Sequence, residues 1–337
     1  MKKTLLLLFV IIVKLTNAQN TEILMFDIKA KENGFELSNM VNVSNKKGYD
    51  SQPFAKEAEK QLLFVSKRDS VSTEIYEYDY LKYKTKRLTK NKENEYSPKI
   101  IYPTNRCMVI KGPEQRLSLY SEDFSKEDTI LVNKDSIGYY HYLGGGRIVA
   151  NILTKPHTLQ LIDTAKLREP EIIASNVGRT ILEYKYGILF VQLGATKNDL
   201  NKIFLYENKT KKIIHLIDLP PSKEDFMLYE LKIYTVMDEK LFECNLDDER
   251  TWKEVADFNP FKLKGITRIA VNPEFNKLFV VAVEEEWMFS LPQPLPPVLL
   301  PVKKIAPIKK TIPAKTGVPT KTNSTLIKTA KKPLPKK

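Results

Sequence analysis

The sequence lacks the short motifs that mark several common enzyme classes. It contains no Gly-x-Ser-x-Gly nucleophile elbow, no glycine-rich phosphate-binding loop and no His-Glu-x-x-His metal helix. Its three histidines, His141, His157 and His215, are far apart in the chain. These absences argue against a serine hydrolase, a P-loop nucleotide enzyme and a zinc peptidase. We therefore expect no catalytic residues, no metal site and no cofactor.

Cysteine is also scarce, with only Cys107 and Cys244 in the chain. Two cysteines this far apart do not form a disulfide framework, although a single disulfide between them is the alternative. Both lie in apolar segments that read as β-strands, Arg106–Ile110 and Leu241–Cys244. We expect two buried, unpaired thiols.

No apolar run reaches the roughly 20 residues that a membrane-spanning helix needs. The N-terminal run over residues 4–13 is ended by Lys14 and is preceded by the basic start Met1-Lys2-Lys3. Thr16 and Ala18 then supply small residues at a cleavage position. This order predicts a secretory signal peptide over residues 1–18, cleaved near Ala18, and a periplasmic or secreted protein without a transmembrane span.

Acidic residues and arginine are absent from residues 303–337, which contain eleven lysines. The first eighteen residues carry three more lysines, so the formal net charge of +13 leaves only −1 for the body of the chain. The high positive charge therefore describes the tail and not the folded domain. Because the protein is expected to be exported, we do not expect nucleic acid as a partner.

Residues 291–337 also contain ten of the twenty prolines in the chain. A segment of this composition buries too little apolar surface to offset its ordering entropy, so we expect a disordered, extended Lys/Pro-rich tail. Two functions remain open for it. It is either a solvated spacer or a contact for anionic polymers of the cell envelope, through salt-sensitive attraction.

Between these two ends, one strand pattern recurs about every 40 to 47 residues. Each copy has four strands: a first strand that begins with polar residues, an apolar second strand, a third strand of alternating residues and a fourth strand after a turn, as in Tyr49–Thr89. Such a unit is one blade of a β-propeller. The pattern predicts a six-bladed β-propeller over residues 19–290, with blades at about 49–89, 95–133, 137–175, 178–217, 223–257 and 265–285 plus 21–45.

The last copy is incomplete, and the N-terminus supplies what it lacks. Residues 265–285 contain only two inner strands, whereas residues 21–45 contain two strands that match the outer half of a blade. Pairing the two ends would complete the sixth blade, close the propeller and remove an exposed sheet edge. The alternative is a β-sandwich or two unrelated β-domains, which leaves both terminal halves unexplained.

Several segments resemble the WD40-like repeats of TolB-type periplasmic propellers. The matching residues are Tyr96–Pro98, Phe64–Asp69, Ile75–Asp79, Arg87–Thr89 and the worn turn Val271–Leu278. The resemblance covers about residues 20–285 and is strongest in the first blade and the start of the second. It implies a fold and a compartment. The α/β domain that precedes the propeller in TolB is missing here, so a role in the Tol–Pal machine is not implied.

In a propeller the innermost strands line a central channel, and the beginnings of these strands form its mouth. Polar residues at these positions are predicted to bind a peptide, a protein segment or a small polar ligand, with arginine gripping a carboxylate or phosphate. Mutual pairing within a water-filled channel is the structural alternative. The predicted residues are Asp50, Gln52, Glu95, Ser97, Tyr140, His141, Arg179, Asp225, Thr267 and Arg268.

The sequence leaves two functional interpretations. The first is a non-enzymatic binding or scaffold propeller of the bacterial envelope, acting through its channel mouth and its cationic tail. The second is a propeller enzyme of the lyase or glycosidase type, with Asp50 and Glu95 as general acid and base. We prefer the first, because His141 alone is too few histidines for a metal-assisted reaction on acidic sugars.

Overall fold

The structure is a computed structural model, and it describes residues 20–56, 58–68, 71–131, 135–166, 169–274 and 276–294. The predicted signal peptide and all but the first four residues of the predicted tail lie outside this range. The chain separates into residues 1–297 and 298–337, and every described residue belongs to the first unit. No helix among the described residues is long and apolar enough to cross a membrane.

The described residues form antiparallel strands, arranged mainly in four-stranded groups. The chain begins with the hairpin of β1 (Thr21–Lys31) and β2 (Gly34–Asn42), whose partners are at the other end of the chain. The next four strands form one group: β3 (Tyr49–Ala55), β4 (Gln61–Lys67), β5 (Glu74–Asp79) and β6 (Lys84–Arg87).

Three separate four-stranded sheets follow in chain order. The first contains β7 (Glu95–Ile101), β8 (Arg106–Lys111), β9 (Arg116–Tyr120) and β10 (Glu127–Leu131). The second contains β11 (Ile137–Gly144), β12 (Arg147–Ile152), β13 (Thr158–Asp163) and β14 (Glu171–Ser175). The third contains β15 (Val177–Tyr184), β16 (Gly187–Gln192), β17 (Asn201–Glu207) and β18 (Ile213–Leu219).

A further four-stranded sheet contains β19 (Met227–Tyr229), β20 (Lys232–Met237), β21 (Lys240–Asn245) and β22 (Lys253–Asp257), and a final pair of strands is β23 (Arg268–Asn272) and β24 (Lys277–Val283). The sequence predicted that β19 begins at Asp225, but Asp225 precedes the strand. The carbonyl oxygen of Asp225 accepts a hydrogen bond from the Thr235 hydroxyl at 2.8 Å, and its carboxylate binds the backbone of Ile269.

The second strand of each group is apolar and buried on both sides. In β4, the run Leu62–Val65 is completely buried, and in β16 the run Ile188–Val191 is almost completely buried. A strand reads as a continuous apolar run when neighbouring layers cover both of its faces. The outermost strands β6 and β10 are mostly exposed and polar. The sheets therefore pack face to face through their inner strands.

The two ends of the described chain meet in one sheet. Strand β1 pairs antiparallel with β24 over seven residues, from Thr21 opposite Val283 to Asp27 opposite Lys277, and β2 pairs with the other edge of β1. The resulting order is β23–β24–β1–β2, and a bridge between Thr21 and Tyr49 joins this group to β3–β6. The predicted pairing of the N-terminal strands with the C-terminal strands is therefore present.

Candidate functional site

Four of the predicted residues meet at the beginnings of three innermost strands. The Nε of Arg179 donates to Oδ1 of Asp225 at 3.3 Å, and its Nη2 donates to the carbonyl oxygen of Thr267 at 2.6 Å. The Nη1 of Arg268 lies 3.7 Å from the same Asp225 oxygen. A single carboxylate is thus shared between two guanidinium groups.

The neighbouring backbone fixes the orientation of Asp225. Its Oδ2 accepts a hydrogen bond from the backbone N–H of Ile269 at 3.1 Å. The adjacent Glu224 is engaged in a similar way, because its Oε2 accepts from the backbone N–H of Arg179 at 3.2 Å. Each of the two carboxylates therefore accepts a hydrogen bond from a backbone N–H of a neighbouring innermost strand.

These residues border a cavity of about 280 Å³. Arg179, Lys223 and Arg268 contribute three positive charges to the lining, and Glu224 and Asp225 contribute two negative charges. The lining therefore carries a net charge of +1, and arginine favours carboxylate or phosphate because its planar donors match two acceptor oxygens. The full lining is Arg179, Ser222, Lys223, Glu224, Asp225, Val236, Gly265, Ile266, Thr267, Arg268 and Ile269.

Tyr139 belongs to this group, although sequence reasoning selected its neighbour Tyr140. The Nη2 of Arg268 donates to the Tyr139 hydroxyl at 3.2 Å, and the guanidinium carbon lies 5.5 Å from the ring centroid. Burial acts to lower the pKa of Arg268, but the charge of Asp225 and the hydroxyl of Tyr139 outweigh it, so that the pKa is raised. Arg268 is firmly cationic in this setting.

A second cationic position, Lys99, was also missed by sequence reasoning. Its Nζ donates to the carbonyl oxygen of Tyr140 at 2.7 Å, and no ion pair of Lys99 occurs among the described residues. Burial lowers the pKa of Lys99 to about 8. The predicted site residue His141 is close by, and burial together with the Lys99 charge lowers the pKa of its imidazole to about 3. His141 is therefore neutral at physiological pH.

Comparison with known proteins identifies the architecture. No protein-family model matches the sequence, and no curated protein matches it. The structure is similar to a chain from a nidogen/laminin complex, with a TM-score of 0.53, 10% sequence identity and coverage of 78% of this chain and 98% of that chain. That chain is a β-propeller, and the present chain has the same type of fold.

Two other solved structures overlap with parts of this propeller. A structure from a study of two prolyl endopeptidases matches at a TM-score of 0.44 and 12% identity, over 66% of this chain and 38% of that chain. A puromycin hydrolase matches at a TM-score of 0.39 and 10% identity, over 58% and 33%. At such identities the similarity concerns the fold alone.

Within the propeller, Gln52 and Ser97 hold the innermost strands of two neighbouring blades together. The Oε1 of Gln52 accepts a hydrogen bond from the backbone N–H of Ser97 at 2.5 Å. Both residues have a positive φ, 55° and 52°, at a register shift in the strand. The Tyr140 hydroxyl extends this connection to the next blade by donating to the carbonyl oxygen of Ser97 at 2.9 Å. These three predicted residues support the backbone.

Asp50 and Glu95, which the sequence predicted at the channel mouth, are both completely buried. Asp50 accepts a hydrogen bond from Arg68 at 2.8 Å. Glu95 accepts one from the Tyr120 hydroxyl at 2.5 Å, and Lys111 lies 3.4 Å away. Burial raises the pKa of both carboxyl groups. Their partners are structural, and they do not line the cavity.

Other potentially reactive groups are dispersed over the propeller. Cys107 and Cys244 are both buried and unpaired, as the sequence indicated. Burial raises the pKa of the Cys244 thiol to about 11 and that of the Cys107 thiol still further, so neither is a reactive thiolate. Within the described ranges, no three His, Cys, Asp or Glu side chains are grouped in a way that could hold a metal ion.

Proposed function

We propose that this chain is a non-enzymatic binding propeller that captures a small anionic ligand, or a carboxylate carried by a peptide or protein partner, in the cavity beside Arg179 and Arg268. One observation carries the proposal: two guanidinium groups share the single carboxylate of Asp225 at the edge of a cavity of about 280 Å³. A second carboxylate or a phosphate would complete the pairing of these cations.

The size of the cavity limits the ligand. A volume of about 280 Å³ lies just below the roughly 300 to 1,000 Å³ of typical drug-sized sites. It therefore suits a small acid or the end of a chain. Arginine presents parallel donors to a carboxylate, and Lys223 adds a mobile point charge on the same rim. Because all three cations surround one space, the attraction should weaken with added salt.

We further propose that the propeller has six blades and is closed by its two termini. The β23–β24–β1–β2 group would serve as the sixth blade. Side-chain contacts between successive innermost strands support this arrangement. They are Gln52 with Ser97, Lys99 with Tyr140, His141 with Glu183, Arg179 with Asp225, and Asp225 with Ile269.

A place in the bacterial envelope is part of the same proposal. It is supported by the signal-peptide pattern of residues 1–18 and by the resemblance to TolB-type periplasmic propellers. The lysine-rich residues 303–337 would contact anionic envelope polymers while the cavity captures its ligand. Removing residues 295–337 should then release the protein from envelope fragments at low salt without changing the ligand affinity of the cavity.

The enzymatic alternative required Asp50 and Glu95 as an exposed acid and base. Both carboxyl groups are inside the propeller walls and hydrogen-bonded to protein donors. A general acid or base must come within hydrogen-bonding distance of the substrate, and neither side chain borders the cavity. We therefore retain the binding role as the proposed function.

Isothermal titration calorimetry of the full chain with acetate, succinate, citrate and inorganic phosphate at low ionic strength tests the proposal. We expect at least one of these anions to bind, with an affinity at least tenfold lower in an Arg179→Ala/Arg268→Ala variant. Arg147→Ala is the matched control, because Arg147 is exposed at the start of β12 and away from the cavity. Equal binding by the double variant, or no binding of any of the four anions, would reject the proposed site.

A further inference from the structure

A second cavity, of about 180 Å³, lies between the fourth and fifth sheets of the chain. It is formed by the turn that joins β15 to β16 and by the turn that joins β21 to β22, with a floor from β17 and β18. Arg179 lies near the beginning of β15, whereas Tyr184 is its last residue. The two cavities therefore lie at opposite ends of this strand and share no lining residue.

Ionic contacts fix the two turns to each other. The Nζ of Lys185 donates to both carboxylate oxygens of Asp247, at 2.6 and 2.8 Å, and lies 5.1 Å from the centroid of the Tyr184 ring. The carbonyl oxygen of Tyr186 accepts a hydrogen bond from the backbone N–H of Asn208 at 3.0 Å. The walls of the cavity are thus held in place before any ligand arrives, which lowers the entropy lost on binding.

Tyr186 has an unusual position in this arrangement. Its backbone is fixed, yet the residue is 77% exposed, so the folded propeller gains little from burying the ring. The next residue, Gly187, is required for the close turn, since a Cβ there would lie 2.2 Å from the carbonyl oxygen of Tyr206. The sequence therefore presents an aromatic ring on a rigid turn, at the border of a cavity.

The remaining lining combines an apolar floor with polar groups of both signs. Leu205 and Leu216 form the floor, and Leu246 of the turn between β21 and β22 adds a third apolar side chain. Lys185 and Arg250 are balanced by Glu207 and Asp247, so the lining is formally neutral. Among the described residues, the Arg250 guanidinium donates long hydrogen bonds to two backbone carbonyl oxygens, at 3.3 Å to Leu246 and 3.5 Å to His215.

A sugar ring matches each of these features. A pyranose has an apolar face of C–H groups that stacks on an aromatic side chain, and an edge of hydroxyl groups that needs both donors and acceptors. Charged planar side chains make strong hydrogen bonds to hydroxyl groups. A charged ligand would gain little from a neutral lining, and a wholly apolar one would make no use of its four charged side chains. The volume admits only one ring, because drug-sized ligands need about 300 Å³ or more.

We propose that the cavity bordered by Tyr186, Asp247 and Arg250 is a carbohydrate-binding site for a single neutral pyranose ring, either free or at the end of a glycan. This site is separate from the anion cavity and does not depend on the function proposed for it. Tyr186 acts as the stacking platform. Asp247, Glu207 and Arg250 bind the hydroxyl groups along the edge of the ring.

Saturation-transfer difference NMR of the full chain with four methyl glycosides tests this inference: those of glucose, galactose, mannose and N-acetylglucosamine. We expect saturable binding of at least one glycoside with a millimolar dissociation constant. Tyr186→Ala should weaken it about tenfold or more, because it removes the platform. Tyr186→Phe should retain it. Since the Tyr186 side chain is mostly exposed, both variants should keep the thermal midpoint of the wild type.

Two further measurements separate sugar binding in this cavity from binding in the anion cavity and from a simple aromatic contact. The Arg179→Ala/Arg268→Ala variant should bind the glycoside normally, and benzyl alcohol, an aromatic probe without a sugar edge, should not compete. The inference is wrong if no glycoside binds, if Tyr186→Ala binds as well as the wild type, or if the binding is lost in the arginine variant. Displacement of the glycoside by benzyl alcohol would also overturn it, because the cavity would then be a simple apolar contact.

Discussion

The guanidinium of Arg268 lies over the ring of Tyr139, with its central carbon 5.5 Å from the ring centroid and its Nη2 donating to the Tyr139 hydroxyl at 3.2 Å. These residues belong to β23 and β11, and two complete sheets separate them in the chain. The contact positions the arginine without neutralising it, because the tyrosine is uncharged. The guanidinium of Arg268 can therefore still form an ionic contact with a second anion in addition to Asp225.

The first prediction follows from this contact. Arg268→Lys should weaken binding of the tightest of the four anions about tenfold, because an ammonium group lacks the planar pair of donors and packs less well over the Tyr139 ring. Tyr139→Phe keeps the ring and loses only the hydroxyl, so the affinity should change less than about threefold. Calorimetric titration of both variants at one ionic strength provides the comparison. A Tyr139→Phe effect as large as that of Arg268→Lys would show that the hydroxyl, and not the planar guanidinium, controls the site.

The buried ion pair of Asp50 and Arg68 leads to the second prediction. Their side chains are 0% and 9% exposed, and Arg68 Nη2 lies 2.8 Å from Asp50 Oδ1. Arg68→Met leaves a buried carboxylate without its cation and should lower the free energy of unfolding by about 3 to 5 kcal/mol. The Asp50→Asn/Arg68→Met variant should recover most of this loss, because it removes both charges. Urea denaturation of the two variants measures the difference.

An exposed pair provides the control for this experiment. Arg106 Nη2 lies 2.7 Å from Asp128 Oδ2, but the side chains are 36% and 67% exposed. Arg106→Met should therefore change the free energy of unfolding by no more than about 1 kcal/mol. If Arg68→Met is equally mild, Asp50 must be protonated in the folded protein, and the pair is not an ion pair.

The third prediction concerns Glu22, which is completely buried where β1 joins the two ends of the chain. Burial raises the pKa of its carboxyl group to about 7, the nearby carboxyl groups of Asp50 and Glu284 act in the same direction, and the hydrogen bond from Ser44 opposes them. In the unfolded chain the pKa is near its ordinary value of 4.5. The unfolded state therefore releases this proton at a lower pH than the folded state does.

Glu22 should consequently reduce the stability of the protein as the pH rises from about 4.5 to about 7, by about 3 kcal/mol in total. Glu22→Gln removes this dependence. The variant should be more stable than the wild type by up to this amount at about pH 8 and equally stable at about pH 4. Urea denaturation at both pH values tests this. A variant that gains nothing at the higher pH would mean that the Glu22 charge is well solvated or paired in the folded protein.

The regular sheets could be predicted from the sequence because burial imposes a simple pattern on them. A strand covered on both faces needs an apolar residue at every position, as in Leu62–Val65, and this is visible without coordinates. The pairing of β1 with β24 could also be predicted from the sequence, since each end of the chain lacked half of a sheet. Hydrophobic patterning thus predicts which strands belong together.

The residues of the site were harder to predict from the sequence, because irregular backbone determines the direction of their side chains. Gln52 and Ser97 adopt positive φ values at bulges in β3 and β7, and the strand register shifts there. A bulge changes which side chains face the channel, so a period of two residues no longer predicts their direction. The acids at the start of both strands, Asp50 and Glu95, turn into the walls, whereas Lys99, just beyond the second bulge, was overlooked.

The fourth prediction tests whether the two ends of the chain act as one structural unit. Phe26 of β1 is completely buried, with its ring centroid 5.8 Å from that of Phe258 and 4.9 Å from that of Phe261. Phe26→Ala should lower the free energy of unfolding by about 3 to 5 kcal/mol, because it removes a large side chain from a packed core. Phe190→Ala, in β16, removes an equally buried ring from the middle of the chain and is the control.

Hydrogen exchange distinguishes the two variants. Since β1 is held by β24 over seven paired residues, its loosening in Phe26→Ala should raise the exchange of amides in 21–31 and 277–283 together, while β16 and β17 stay protected. In Phe190→Ala the pattern should be reversed. If the amides of β1 exchange faster and those of β24 do not, the two terminal strands open separately. Such a result would contradict the proposal that their pairing closes the propeller.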